Sequence, residues 1–149
     1  MKVYIGADHG GFELKKKIFS WLQTAGYTVT DCGNSVFNAQ DDYPTFAFAV
    51  SEAVAKDEKS KGVIICRSAA GAVIAANKVT QIRAVAVFDP KAALHARAHN
   101  DANVLGLSGD WTDANSAAEI LKIFLATEFS KETRHARRIA QITAYEKSH

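Results

Sequence analysis

The chain has 149 residues, 48% hydrophobic and 23% charged, with a formal net charge of +2. That length suits a single domain over residues 1–149, burying roughly 70% of the surface its unfolded chain would expose. The near-neutral balance argues against a nucleic-acid partner, and no apolar run approaches the roughly 20 residues a bilayer crossing needs.

Two cysteines, Cys32 and Cys66, form neither a CxxC pair nor a zinc-type cluster, so no disulfide framework is expected and a cytoplasmic setting fits. The opening MKVYIGADHGGFELKKK meets charge and glycine too early for a secretory signal.

Short apolar runs then alternate with amphipathic stretches. Residues Lys2–Ala7 predict a first strand. Phe12, Leu14, Ile18, Trp21 and Leu22 recur at helical spacing over Phe12–Ala25, and Gly26 stands where a helix stops. Tyr27–Cys32 is short and β-branched, hence a second strand. Asn34–Tyr43 is polar and predicts a loop; Pro44 then suits the start of a helix over Thr45–Lys56. Gly62–Cys66 is an apolar strand, Gly71–Lys78 a helix, Ile82–Phe88 a strand and Pro90–His99 a helix. Asn103–Leu107 predicts a fifth strand, Ala114–Leu125 a helix, and Lys131–Lys147 a long charged tail helix. Such alternation implies a Rossmann-like three-layer α/β/α sandwich with a five-stranded parallel sheet and an extended C-terminal helix.

Ligands of such sheets bind at the carboxyl ends of the strands. After the first strand stand Asp8, His9, Gly10 and Gly11, an acceptor and a titratable donor before paired glycines; equally, Asp8 caps the next helix and His9 is merely exposed. After the third strand Cys66 is followed by Arg67, Ser68, Ala69, Ala70 and Gly71. A thiol entering a helix N-terminus can serve as base or nucleophile beside accessible backbone amides; a buried cysteine can also be plain core filler. The polar run His99-Asn100-Asp101-Ala102-Asn103 reads on its own as turn chemistry. Arg134 and Arg138 share one helix face and can clamp a phosphate or simply form a solvated surface. No metal-ligand spacing occurs, and no GxGxxG follows the first strand.

Taken jointly, Asp8-His9-Gly10-Gly11-Phe12, Asp42-Tyr43-Pro44, Cys66 with its small-residue loop, Ala76-Asn77-Lys78, His99-Asn100-Asp101-Ala102-Asn103 and Arg134-His135-Ala136-Arg137-Arg138 resemble the sugar-phosphate isomerase family that contains ribose-5-phosphate isomerase type B and galactose-6-phosphate isomerase subunits. The likeness runs from Met1 to about Tyr145. It implies an aldose–ketose isomerase of the pentose phosphate pathway that interconverts ribose 5-phosphate and ribulose 5-phosphate through an enediolate, without cofactor or metal. It further implies Cys66 as the carbon base, His99 and Asp8 in ring opening, and Ser68 with the amides of Arg67 to Gly71 around the enediolate oxygen. His9, Arg134 and Arg138 would hold the phosphate, with Arg67 adding a cation, while Asn100 and Tyr43 contact the sugar. A homodimer, or a tetramer of dimers, would share each site between subunits. Two departures stand out. The family loop usually reads Cys-Gly-Thr/Ser-Gly-x-Gly, so Arg67 and Ala69 replace glycines, and Asp110 stands where a basic residue is common. They leave room for a six-carbon sugar phosphate as substrate, such as allose or galactose 6-phosphate, or for a sugar-phosphate-binding protein without catalysis.

Overall fold

The computed structural model describes every residue from Met1 to His149. Five strands, β1 (Lys2–Ala7), β2 (Thr28–Asp31), β3 (Lys61–Cys66), β4 (Ala84–Ala86) and β5 (Val104–Ser108), form one sheet in the order β2-β1-β3-β5-β4, with every pairing parallel. Central strands of a parallel sheet are covered on both faces and so read as continuous apolar runs; β3 and β5 do so here and are almost wholly buried.

Six helices complete the chain: α1 (Phe12–Thr24), α2 (Tyr43–Ala55), α3 (Ala70–Ala76), α4 (Pro90–Asn100), α5 (Ala114–Ala126) and α6 (Thr133–Ser148). One face of the sheet packs Val3, Ile5, Ile65 and Leu107 against Ile18 and Leu22 of α1, Ala93 and Ala96 of α4, and Ile120 and Phe124 of α5. On the other face Ile64 and Val104 meet Val50 and Val54 of α2 and Ala72 and Ala76 of α3. Burying each large aliphatic side chain contributes about 1.5–3 kcal/mol, which makes these two layers the main source of stability.

The expected elements are all present, with shifted ends. Asp42 is extended (φ −114°, ψ 125°) and α2 starts at Tyr43, so Tyr43 lies in the first turn rather than in the loop, with Pro44 tolerated there. The strand expected over Ile82–Phe88 contracts to three residues. It is an edge strand, and the Asn77 side chain occupies its open side, donating to the Ala84 carbonyl at 2.9 Å and accepting from the Ala84 amide at 2.8 Å. The tail helix starts at Thr133, and the Glu146 carboxylate accepts the Gln81 amide at 2.9 and 3.0 Å, holding its far end near β4. Ile142 and Tyr145 of α6 are left exposed. No helix is long and apolar enough to cross a membrane.

β2 lies on one side of β1 and β3 on the other. This is the point at which strand order reverses, and the crevice above the carboxyl ends of β1 and β3 is where an open α/β sheet takes its ligand.

Candidate active site

Three loops converge over that crevice. The turn after β1 carries Asp8 to Gly11, the segment after β3 carries Arg67 to Ala69, and the segment after β5 carries Gly109 and Asp110. Backbone hydrogen bonds tie them: the Asp8 amide donates to the Ile65 carbonyl at 3.3 Å, Gly109 to Cys66 at 2.8 Å, and Asp110 to Arg67 at 3.2 Å. Gly109 lies so close to Gly10 that a Cβ there would collide with the Gly10 carbonyl. Gly71 presents bare backbone to Tyr43, whose ring would sit 2.6 Å from a Cβ at that position.

Cys66 ends β3 with 4% of its surface exposed, at the floor of the crevice. Ser68 follows, and Ala69 takes the left-handed region (φ 66°, ψ −26°) that turns the chain into α3. This is one of the two positions where the family pattern carries glycine; alanine bears roughly 1–2 kcal/mol of strain there. Arg67, at the other, is 67% exposed with its guanidinium 3.4 Å from the Asp110 carboxylate. An exposed pair of this kind contributes about 0–1 kcal/mol, so Arg67 is free to turn to a stronger anion. The two departures therefore meet in space.

Asp8 is buried, and one of its oxygens accepts the Gly10 and Gly11 amides at 2.9 and 3.2 Å. It binds the glycine turn rather than capping α1, whose N-cap residue is Gly11. Burial pushes its carboxyl above the usual range, against the opposing pull of His9 and of those two amides. His9 is held by Asp41 and not left loose in solvent. Asp41 Oδ1 accepts the His9 backbone amide at 2.8 Å and lies 2.8 Å from His9 Nδ1. That hydrogen bond raises the imidazole pKa, with the charges of Asp8 and Asp41 acting in the same direction and burial and Arg67 against it. The other oxygen of Asp41 accepts from the Asn34 side chain at 3.0 Å. The Asn34 carbonyl in turn accepts Lys15 Nζ at 2.7 Å, and Lys15, 2% exposed, also pairs with Asp31 at 2.7 Å. A buried lysine on α1 thus fastens the loop between β2 and α2 beside His9. Its position on the apolar face of α1 was the one sequence signal for this network; Asn34 and Asp41 looked like ordinary loop polarity.

The remaining expected residues lie elsewhere. α4 descends antiparallel to the strands and its C-cap residue Asp101 leads back into β5, so His99 and Asn100 sit at the amino ends of the strands. Val104 pairs with Gly62 and Ser108 with Cys66; those four residue steps alone span about 13 Å. One chain therefore does not bring His99 to Cys66. The His99 ring packs 4.6 Å from that of His95 and 4.4 Å from that of His135 on α6. Burial, then the neighbouring His99, depresses the pKa of His135. A cavity of about 490 Å³ beside them is lined by His99, Asn100, Arg138, Ile142 and Tyr145 among others. Arg134, by contrast, reaches Glu132 at 3.0 Å on the exposed surface and does not join Arg138 in that cavity.

The rest of the polar run around His99 is structural. Asp101, left-handed at φ 45°, accepts from Arg97 at 2.7 Å and Arg83 at 2.9 Å, while Asn103 bonds the backbone of Gln81 and Arg83 at 2.8 Å each. Asn77, in another of the quoted motifs, serves the edge of β4.

The model of the ribose/galactose isomerase family matches residues 3–142. Ribose-5-phosphate isomerase B of Mycolicibacterium paratuberculosis is 39% identical over 149 residues, covering 100% of this chain and 94% of that protein. A probable ribose-5-phosphate isomerase B of Mycoplasma genitalium is 42% identical over 146 residues, covering 97% and 95%. Among solved structures, ribose-5-phosphate isomerase B of Mycoplasma genitalium with bound ribulose-5-phosphate superposes with a TM-score of 0.95 at 40% identity, over 99% of this chain and 97% of that one. The Clostridium thermocellum ribose-5-phosphate isomerase B superposes at 0.94 with 41% identity, over 99% of both.

Proposed function

The chain belongs to the ribose/galactose isomerase family, and from that premise we propose that it interconverts ribose 5-phosphate and ribulose 5-phosphate. The observation that carries the reading is the full-length match to relatives named for that reaction, together with Cys66 standing at the strand-order reversal beside Asp8 and His9. The five-carbon substrate is preferred to a six-carbon one because both curated relatives and the solved neighbour bound to ribulose 5-phosphate carry that name.

Ring opening moves the anomeric hydroxyl proton to a base and returns one to the ring oxygen; His99 and Asp8 carry these transfers. Cys66, as thiolate, takes the proton from C2 of the open aldose and returns it to C1, while the C1 oxygen gains and the C2 oxygen loses a proton. Between the two steps the enediolate oxygen is held by Ser68 and the amides from Arg67 to Gly71. Such preorganised donors are typically worth about 10²–10³ each in rate. His9, Arg67 and Arg138 hold the phosphate, joined by Arg134 once it leaves its exposed pair with Glu132, and Tyr43 and Asn100 hold the sugar hydroxyls.

Because one chain keeps Cys66 and His99 at opposite ends of the sheet, the working protein is a homodimer or a tetramer of dimers. Each site joins one subunit's Cys66 crevice to the partner subunit's His99, Asn100, Arg134 and Arg138. The exposed Ile142 and Tyr145 on α6 suit burial against a neighbouring subunit. Two free cysteines suit a reducing compartment, and the cytoplasm is where we place the protein. Steady-state isomerisation of ribose 5-phosphate against allose and galactose 6-phosphates tests the substrate: the pentose phosphate should give the highest kcat/KM, and a higher value for either hexose phosphate would overturn it.

A further inference from the structure

We propose that Asp41 is the positioning residue for His9, fixing its ring orientation and holding it as the imidazolium that grips the phosphate, with Asn34 and Lys15 fixing Asp41 in turn. The inference rests on the proposed sugar-phosphate reaction for the identity of the anion, but its geometry is independent of it.

A single carboxylate oxygen of Asp41 holds both the backbone amide and Nδ1 of His9, each at 2.8 Å. Nδ1 must therefore carry a proton, because an ionised carboxylate only accepts. In the neutral ring this leaves Nε2 as a bare acceptor, which repels a phosphate oxygen. Only the imidazolium presents Nε2–H as a donor. The Asp41 side chain is just 7% exposed, against 27% for His9, so its charge is poorly screened by water and the imidazolium is its natural counter-ion. Its second oxygen is taken by Asn34 at 3.0 Å, and Asn34 is tied to the buried Lys15 at 2.7 Å. The carboxylate can neither rotate away nor follow the substrate. The other charges facing His9 are Asp8 from the turn after β1, which favours the imidazolium, and Arg67 from the loop after β3, which opposes it and has Asp110 as its own neighbour.

His9 is charged below its raised pKa and loses that charge as pH rises through it, whereas a phosphate monoester reaches its dianion above about pH 6. KM for ribose 5-phosphate should be lowest between these two limits. In Asp41→Asn the amide can no longer favour the imidazolium, and the alkaline rise in KM moves to lower pH. In the pH window where His9 is charged in the wild type and neutral in the variant, the loss of a charge-assisted contact corresponds to a KM increase of about ten-fold, with a smaller change in kcat because the reacting carbons are untouched. Asp41→Glu keeps the charge and should keep the wild-type position of the alkaline limb.

The deciding measurement is an NMR titration of the His9 ring in the full-length protein and in Asp41→Asn, with the resonance among the five histidines assigned by its loss in His9→Gln. A midpoint at lower pH in Asp41→Asn, with a matching displacement of the KM profile, is the expected result. Superposable titrations in the two proteins would overturn the inference. A wild-type protein that fails to isomerise ribose 5-phosphate would instead remove the proposed reaction, while leaving the titration difference in place.

Discussion

Mixing two dead variants should restore activity. Cys66→Ala removes the proposed base from the crevice at the carboxyl ends of the strands, and His99→Ala removes the proposed ring-opening group from α4. General acid–base groups contribute about 10²–10⁴-fold, so each variant alone should keep roughly 1% of wild-type turnover or less. The fold places Cys66 opposite Ser108 at the far end of β5 from Val104, and His99 near the turn that leads into Val104. With about 13 Å of strand between those levels, a pentose phosphate cannot meet both groups of one chain. In a symmetric dimer each site then takes Cys66 from one subunit and His99 from its partner. When the two variants are co-expressed with different tags and assemble at random, half of the dimers are mixed. Each mixed dimer has one site with both residues intact and one site lacking both, so the mixture should regain about a quarter of wild-type kcat per subunit. Tandem affinity purification of the mixed species should raise this to about one half. The assay is isomerisation of ribose 5-phosphate at saturating substrate. Purified mixed dimers no more active than the parents would refute the shared site, because residues acting within one chain cannot complement each other.

Arg138→Ala should raise KM for ribose 5-phosphate by about ten- to a hundred-fold, since a charge-assisted contact contributes roughly 1.5–3 kcal/mol; unaltered kinetics on every phosphorylated sugar would make the tail a solvated face. At Ala69, held at φ 66°, a β-branched side chain suits the left-handed region worst of all. Ala69→Val should therefore lower stability in urea by about 2 kcal/mol or more, whereas Ala69→Gly, which trades relief of strain for the loss of a buried methyl, should change it by less than about 1 kcal/mol.

The alternation of strands and helices was legible because a parallel sheet imposes long buried runs, and both β3 and β5 obey it. Element ends were less so. The edge strand β4 is shorter than its apolar run because only Ala84–Ala86 pair with β5, and its open side is closed by the side chain of Asn77, which no periodicity encodes. That Asp8, His9 and Cys66 gather over one crevice could be read from their places after β1 and β3. The place of His99 followed from no spacing, since the end of α4 falls at the amino ends of the strands, away from Cys66; only the family resemblance supplied the expectation of a site shared between subunits. Lys15, Asn34 and Asp41 escaped notice for a different reason. Their significance lies in three contacts across sequence separations of 7 to 32 residues; Asn34 and Asp41 match ordinary loop polarity, and only Lys15, a charge on the apolar face of α1, stands out alone. Asp110 and Arg67, suspicious separately, became intelligible once the structure set them 3.4 Å apart.

The proposed reaction turns on Cys66 moving the carbon-bound proton. Its most direct test is the rate of ribose 5-phosphate isomerisation in wild type and Cys66→Ala, with deuterium exchange from solvent into the substrate carbon measured in parallel. Both rates should fall by at least about 10²-fold with KM little changed, the pattern of a group that acts in the transition state. Turnover and exchange at wild-type rates in Cys66→Ala would contradict it and return the thiol to the role of a buried filler at the end of β3.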